Sequence, residues 1–173
     1  MKFYSGFSLV GEEYLLTEYI KRSDFTVCGF SYGAIKAFQK VQEDLKSGNR
    51  VDTLQLLSPA FFQSKAESFK KLQLRAYKKN RDGYMKQFVD ACFSPYNKKI
   101  IQHKETHFKE LEELLEYKWD IESLKELEKK GVKIEVYLGS QDVIVDADAA
   151  KEFFLEVATV TYIKNANHFL QIQ

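Results

Sequence analysis

Apolar positions along the chain change their spacing several times, and each change predicts an element. Residues 2–4 read as a short strand, broken by Ser5-Gly6. Tyr14, Leu15, Leu16, Tyr19 and Ile20 fall at helical spacing and predict a helix over 12–20. The run DFTVCGF (24–30) is short and rich in β-forming residues, as a buried parallel strand should be. Ile35, Phe38, Val41 and Leu45 return to the helical period over 32–45, which Ser47-Gly48-Asn49 stops. Residues 51–57 are a second buried-strand candidate, ended by Ser58-Pro59. The stretch 60–130 is helical and highly charged, with no strong strand signal. Within it Asp120 is a candidate N-cap, with Trp119 and Leu124 placed as a hydrophobic staple, and Gly131 ends that helix. Strand character resumes at 132–138, followed by a helix over 147–155 and a strand over 157–163.

Strands alternate with helices at both ends of the sequence, which predicts a mostly parallel sheet of about five strands with helices on its faces. The helical middle then reads as an insertion, or lid, above the sheet edge, within a single domain spanning 1–173. Ligands of such sheets bind beyond the carboxyl ends of the strands, so chemistry is sought in the loops that follow them.

Three loops carry it. After the strand at 24–30 comes Gly29-Phe30-Ser31-Tyr32-Gly33, a G-x-S-x-G run between strand and helix. Small neighbours let strand and helix approach, the turn lifts the Ser31 hydroxyl above the sheet, and the Tyr32 N–H at the helix start faces a developing oxyanion. After the strand at 132–138, Gly139-Ser140-Gln141 leads to Asp142, a carboxylate able to hold a histidine tautomer. Asp146 and Asp148 precede the next helix and suit capping better. After the strand at 157–163, Lys164-Asn165-Ala166-Asn167 leads to His168. Singly, each has a plainer reading: a glycine-flanked turn, a capping aspartate, a surface histidine. Together they follow the order Ser, Asp, His, each at a strand end. A second oxyanion donor is sought in Ser5-Gly6-Phe7-Ser8, where the Phe7 N–H is the candidate; the alternative is an ordinary N-terminal loop.

Composition narrows the field without choosing within it. Hydrophobic residues make up 45% and charged residues 29%, and the formal net charge is +1. Such a balance gives no global field for nucleic acid or a membrane surface. Two cysteines, Cys28 and Cys92, exclude a disulfide framework or a cysteine-rich metal site. The first ten residues lack the long apolar core of a signal peptide, and a cytoplasmic protein is expected. His103 and His107 stand at i and i+4 in HKETH, but Lys104 occupies the place of the zincin glutamate, so no metal or other cofactor is expected. Between Ser64 and Arg81 lie Lys65, Lys70, Lys71, Arg75, Lys78, Lys79 and Arg81, with Glu67 the only acid. That face is either a solvated helix surface or a landing surface for an acidic partner such as an acyl carrier protein. Phe61, Phe62, Phe69, Phe88 and Phe93 are candidates for an acyl channel or simply for core.

GFSYG, GSQDVIV and NANHF resemble the elbow, acid and histidine motifs of α/β-hydrolases. With the SGFSLVGEE start and the helical middle, the chain resembles the small pimeloyl-acyl-carrier-protein methyl ester esterases of biotin synthesis, of the compact BioV type. The motifs that carry this cover roughly residues 1–60 and 131–173. The resemblance implies hydrolysis of the ω-methyl ester of pimeloyl-acyl carrier protein. It implies Ser31 as nucleophile, Asp142 as acid, His168 as base, and Phe7 and Tyr32 as oxyanion donors. The pattern departs from the family in lacking strands before the first one and another between oxyanion loop and elbow. Ser5 also stands where a histidine is usual. A thioesterase on the same fold, or a non-catalytic protein with a hydrolase-like fold, are the competing expectations.

Overall fold

The structure, a computed structural model, describes residues 1–173. Five strands form one parallel sheet: β1 (Lys2–Tyr4), β3 (Thr26–Phe30), β4 (Thr53–Leu57), β6 (Lys133–Gly139) and β7 (Thr159–Ile163), hydrogen-bonded in that order. A two-residue strand β2 (Leu9–Val10) pairs with an equally short β5 (Gln102–His103) outside that sheet. Two-residue strands carry no readable period, and this pair is absent from the sequence prediction. The helices are α1 (Tyr32–Lys46), α2 (Glu67–Lys79), α3 (Arg81–Phe93), α4 (Phe108–Glu116), α5 (Ile121–Lys129) and α6 (Ala147–Phe154). Thus α2 to α5 fill the helical stretch expected between β4 and β6. No helix is long and apolar enough to cross a membrane.

The central strands alternate between two cores, as a sheet covered on both faces requires. Val27, Leu54, Leu56, Ile134, Val136 and Leu138 face a large cluster built with α1, α5 and α6. Cys28, Phe30 and Leu57 face a smaller one built with Leu16, Ile20, α3 and the C-terminal Phe169 and Leu170. Trp119 and Leu124 are both buried in the larger cluster, and Asp120 caps α5 by accepting from Ser123 N–H at 2.8 Å. Gly131 follows that helix with φ of 86°.

Residues 12–20 do not form the α-helix that their spacing predicts. Gly11 turns the chain in a left-handed conformation, φ 74°, and Glu12–Leu15 make a single 3-10 turn. Leu16 and Ile20 are buried all the same, while Tyr14, which shares their apolar pattern, is 53% exposed. Topology explains the difference. This connection from β1 to β3 packs on the face opposite α1, the connection from β3 to β4. Since β1, β3 and β4 lie in line, the two crossovers have opposite hands, and only one can be the favoured βαβ unit. The helix forms in the crossover that carries α1.

The sequence explains why β1, β3 and α1 meet so closely. A Cβ on Gly29 would sit 2.2 Å from the Gly33 carbonyl oxygen, and one on Gly33 would sit 2.0 Å from that of Tyr4. Both obstacles are backbone, so neither can swing aside. Gly33→Ala is therefore expected to cost about 3 kcal/mol or more, at the upper end for overpacking. Urea unfolding measures this; a midpoint near that of the unmodified chain would contradict the close approach.

Candidate active site

Ser31 sits between β3 and α1 with φ 53° and ψ −116°. A non-glycine residue with positive φ costs on the order of 1–3 kcal/mol, and the surroundings must hold it there. Three backbone bonds do so: Ser31 N–H donates to Leu57 O at 2.9 Å, and Ser31 O accepts from Ala34 N–H at 3.0 Å and from Ala60 N–H at 3.1 Å. The turn leaves the Ser31 side chain pointing at the loop after β7. There His168 Nε2 lies 3.0 Å from Ser31 Oγ. On the other edge of the ring, His168 Nδ1 lies 2.6 Å from Asp142 Oδ2.

Asp142 is held as firmly as the ring it faces. Its Oδ1 accepts from Ile144 N–H at 2.8 Å and from Val145 N–H at 3.1 Å, leaving Oδ2 for the histidine. An acceptor at Nδ1 fixes the proton there and leaves Nε2 free to accept from the serine hydroxyl. The His168 and Asp142 side chains are essentially buried, so little water competes for these bonds. Phe30 and Phe169 flank the imidazole, with ring centroids at 5.1 and 6.4 Å. The loop carrying it is tied down by Asn167, which sequence reasoning passed over. Asn167 Nδ2 donates to Phe93 O at 2.8 Å and Asn167 Oδ1 accepts from Gln171 N–H at 3.0 Å. Asp146 caps α6 by accepting from Ala149 N–H at 3.1 Å. Asp148 does not cap: its carboxylate accepts from the Tyr162 hydroxyl at 2.6 Å.

The two candidate oxyanion donors are available. The Tyr32 N–H opens α1, where the first turn has no intrahelical acceptors. The Phe7 N–H donates to no protein acceptor, whereas the Gly6 N–H beside it is committed to Glu12 Oε1 at 2.7 Å. The Phe7 ring is buried and meets Phe88 edge-on at 5.9 Å, joining the loop to α3. A cavity of about 240 Å³ is lined by Phe62, Phe69, Phe88, Leu111, Leu115 and Ile144 among others. It shares Phe88 with the packing of Phe7, and Ile144 with the loop of Asp142. Of the five candidate channel phenylalanines, Phe62, Phe69 and Phe88 line this space; Phe61 and Phe93 are core.

The basic stretch divides on folding. Lys70 is buried, 2% exposed, and is paired with Glu67 at 3.1 Å and Glu116 at 3.5 Å, so it does not face a partner. Its role is to tie α2 to α4. Lys71, Arg75, Lys78, Lys79 and Arg81 are exposed, and Lys65 is half-buried. Lys78 rests 4.3 Å above the Phe108 ring and Lys65 5.7 Å from the Phe69 ring, while Arg81 pairs with Asp82 at 3.3 Å. His103 lies in β5 and His107 stands just before α4 without a side-chain bond to it, so the HKETH run does not form one helical face.

Comparison with known proteins places the fold. No protein-family model matches the chain, and no curated protein matches it. Solved structures do. A naproxen esterase (carboxylesterase NP) from Bacillus subtilis superposes with a TM-score of 0.53 at 21% identity, over 85% of this chain and 54% of that one. A bromoperoxidase from Bacillus anthracis gives 0.63 at 13%, over 89% and 64%. BioG from Haemophilus influenzae gives 0.62 at 12%, over 97% and 87%. The fold is that of the α/β-hydrolases, in reduced form. The chain spans about half the length of the Bacillus subtilis carboxylesterases it matches, 54% in each case.

A polar cluster joins the site to the helical insertion. Tyr32 OH donates to Glu113 Oε2 at 2.6 Å, and Lys36 Nζ lies 2.7 Å from Glu113 Oε1, so the residue beside Ser31 is tied to α4. Burial works to raise the Glu113 carboxyl, but Lys36 and the Tyr32 hydroxyl outweigh it and hold the group below its ordinary value. A depressed folded pKa means stability that is present above the unfolded value, about 4.3, and lost as pH falls through the folded one. Glu113→Gln should therefore flatten the acid limb of the stability curve, by less than about 1 kcal/mol because the pair is partly solvated. Urea midpoints at pH 3 to 6 test this; parallel curves for the two proteins would contradict it.

Proposed function

We propose that this chain is a serine carboxylesterase and that its substrate is the methyl ester of pimeloyl-acyl carrier protein. The observation that carries the esterase reading is the line of contacts from Asp142 through His168 to Ser31, at 2.6 and 3.0 Å, on a strained strand-to-helix turn. Neither a glycine-flanked turn nor a satisfied core histidine requires a serine at positive φ aimed at that histidine.

The chemistry follows from the geometry. His168 Nε2 takes the Ser31 proton as Oγ attacks the ester carbonyl carbon, and Asp142 stabilises the imidazolium. The carbonyl oxygen becomes an oxyanion received by the Phe7 and Tyr32 N–H groups. The tetrahedral intermediate collapses, His168 returns the proton to the leaving oxygen, and methanol departs. Water, deprotonated by His168, then attacks the acyl-serine. The free acid leaves, and Ser31 recovers its proton.

Four observations support the substrate. The GFSYG, GSQDVIV and NANHF motifs resemble those of the compact pimeloyl-acyl-carrier-protein esterases. BioG from Haemophilus influenzae shares the fold at nearly matching length. The apolar cavity of about 240 Å³ suits a linear acyl chain, and the exposed Lys71, Arg75, Lys78, Lys79 and Arg81 suit an acidic carrier, with Lys65 at their edge. Residues 60–130 act as the lid in this reading, with α3 reaching Phe7 through Phe88 and α4 reaching Tyr32 through Glu113.

The test is mass spectrometry of pimeloyl-acyl carrier protein methyl ester after incubation with the chain and with Ser31→Ala. The unmodified chain should remove one methyl group and leave the carrier thioester intact. Ser31→Ala should be slower by a factor of about 10⁴ to 10⁶. Cleavage of the thioester instead would replace this reading with a thioesterase. Equal turnover by both proteins would end the serine mechanism.

A further inference from the structure

We infer that Glu12 is a positioning residue that presents the second oxyanion donor, the N–H of Phe7, to the elbow. The inference rests on the esterase reading and adds to it a residue outside the triad. It begins with the two peptide planes that flank Gly6. The N–H of the first donates to Glu12 Oε1 at 2.7 Å, a buried contact. The carbonyl of the second accepts from Leu9 N–H at 3.1 Å. That second plane is the Gly6–Phe7 peptide, and in a trans peptide the N–H points opposite to the carbonyl. Fixing the Gly6 oxygen toward Leu9 therefore sends the Phe7 N–H the other way, where no protein atom accepts it.

The turn that achieves this is not a comfortable one. The Leu9 to Gly6 bond closes a four-residue turn whose third residue, Ser8, has φ 62°. Glycine would favour that position, and a side chain there costs on the order of 1–2 kcal/mol. Ser8 is held by its hydroxyl, which bonds to Lys104 O at 3.2 Å and to Thr106 Oγ1. The Glu12 contact restrains the other end of the turn. Gly33, at the start of α1, packs against the Tyr4 and Ser5 carbonyls, so this restrained loop lies directly beside the nucleophile.

Glu12 is an unusual choice for a purely structural prop. It is completely buried, and its second oxygen, Oε2, has no hydrogen-bond partner. A buried carboxyl left half-satisfied costs stability. Burial pushes this carboxyl above its ordinary range, opposed by the Gly6 N–H, its own N–H, Ser5 and the Lys104 ammonium. An apolar residue at position 12 would escape that cost. It would also leave the Gly6 N–H unpaired and its plane free to rotate.

The acceptor atom, not the charge, is what the loop needs. That separates three variants, assayed on a generic p-nitrophenyl ester per active site counted by end-point fluorophosphonate titration, so that unfolded protein does not register. Glu12→Gln keeps an acceptor oxygen at the same reach and should stay within about 3-fold of the unmodified kcat. Glu12→Ala removes the acceptor, and Glu12→Asp keeps the charge but draws the oxygen back by one methylene. Both should lose kcat by about 30- to 100-fold with KM changed less than 3-fold, since an oxyanion donor acts in the transition state. Affinity for a trifluoromethyl ketone analogue should fall by the same factor. Unchanged kcat in Glu12→Asp and Glu12→Ala would overturn the role of Glu12 and leave the esterase reading standing. So would a loss in Glu12→Gln equal to that in Glu12→Asp. No ester turnover by the unmodified chain would bring down both.

Discussion

The contact on which everything else depends is the approach of α1 to the end of β1. Gly33 lies so near the Tyr4 and Ser5 carbonyls that a methyl group there would be 2.0 Å from an oxygen. Because that gap is closed, the loop leaving β1 and the turn leaving β3 share one small space. Ser31 stands two residues from that contact at positive φ, and backbone bonds to Leu57, Ala34 and Ala60 keep it there. The two remaining loops, after β6 and β7, reach the same end of the sheet because all five strands are parallel. A serine, a carboxylate and a histidine from positions 31, 142 and 168 meet because the sheet brings their loops together.

Much of this was readable from local chemistry. The elbow glycines, the caps at Asp120 and Asp146 and the stop at Gly131 follow from rules that act over a few residues, and the structure keeps each of them. The strand-end rule located Ser31, Asp142 and His168, since the loop after a parallel strand is defined by the sequence pattern alone. What escaped was decided at long range. The spacing at 12–20 is helical, but the side of the sheet on which that segment must pass is a property of topology. Lys70 looks like its basic neighbours until α4 brings Glu116 against it. Asp148 looks like a cap until the Tyr162 hydroxyl of β7 claims it. Glu12 sits in a charged GEE run that gives no sign of being buried.

The helical insertion is joined to the site by polar and aromatic contacts as well as by packing. Glu113 on α4 holds the Tyr32 hydroxyl, Ser8 is bonded to the segment before α4, and Phe88 on α3 packs on Phe7. Both candidate oxyanion donors thus belong to residues gripped by the insertion. The strained turn at Ser31 and the loop after β1 are braced by α3, α4 and the segment before α4 as well as by the sheet. The same segment supplies most of the apolar cavity wall, and Phe88 belongs both to that wall and to the packing on Phe7.

The central claim is that Ser31 is a nucleophile activated by His168. The most direct measurement is to treat the folded chain with a fluorophosphonate and locate the adduct by peptide mass spectrometry. One phosphonyl group per chain is expected, on Ser31, and none after His168→Ala over the same time. No adduct, or an adduct on another residue with Ser31 untouched, would contradict it and leave a hydrolase fold without hydrolase chemistry.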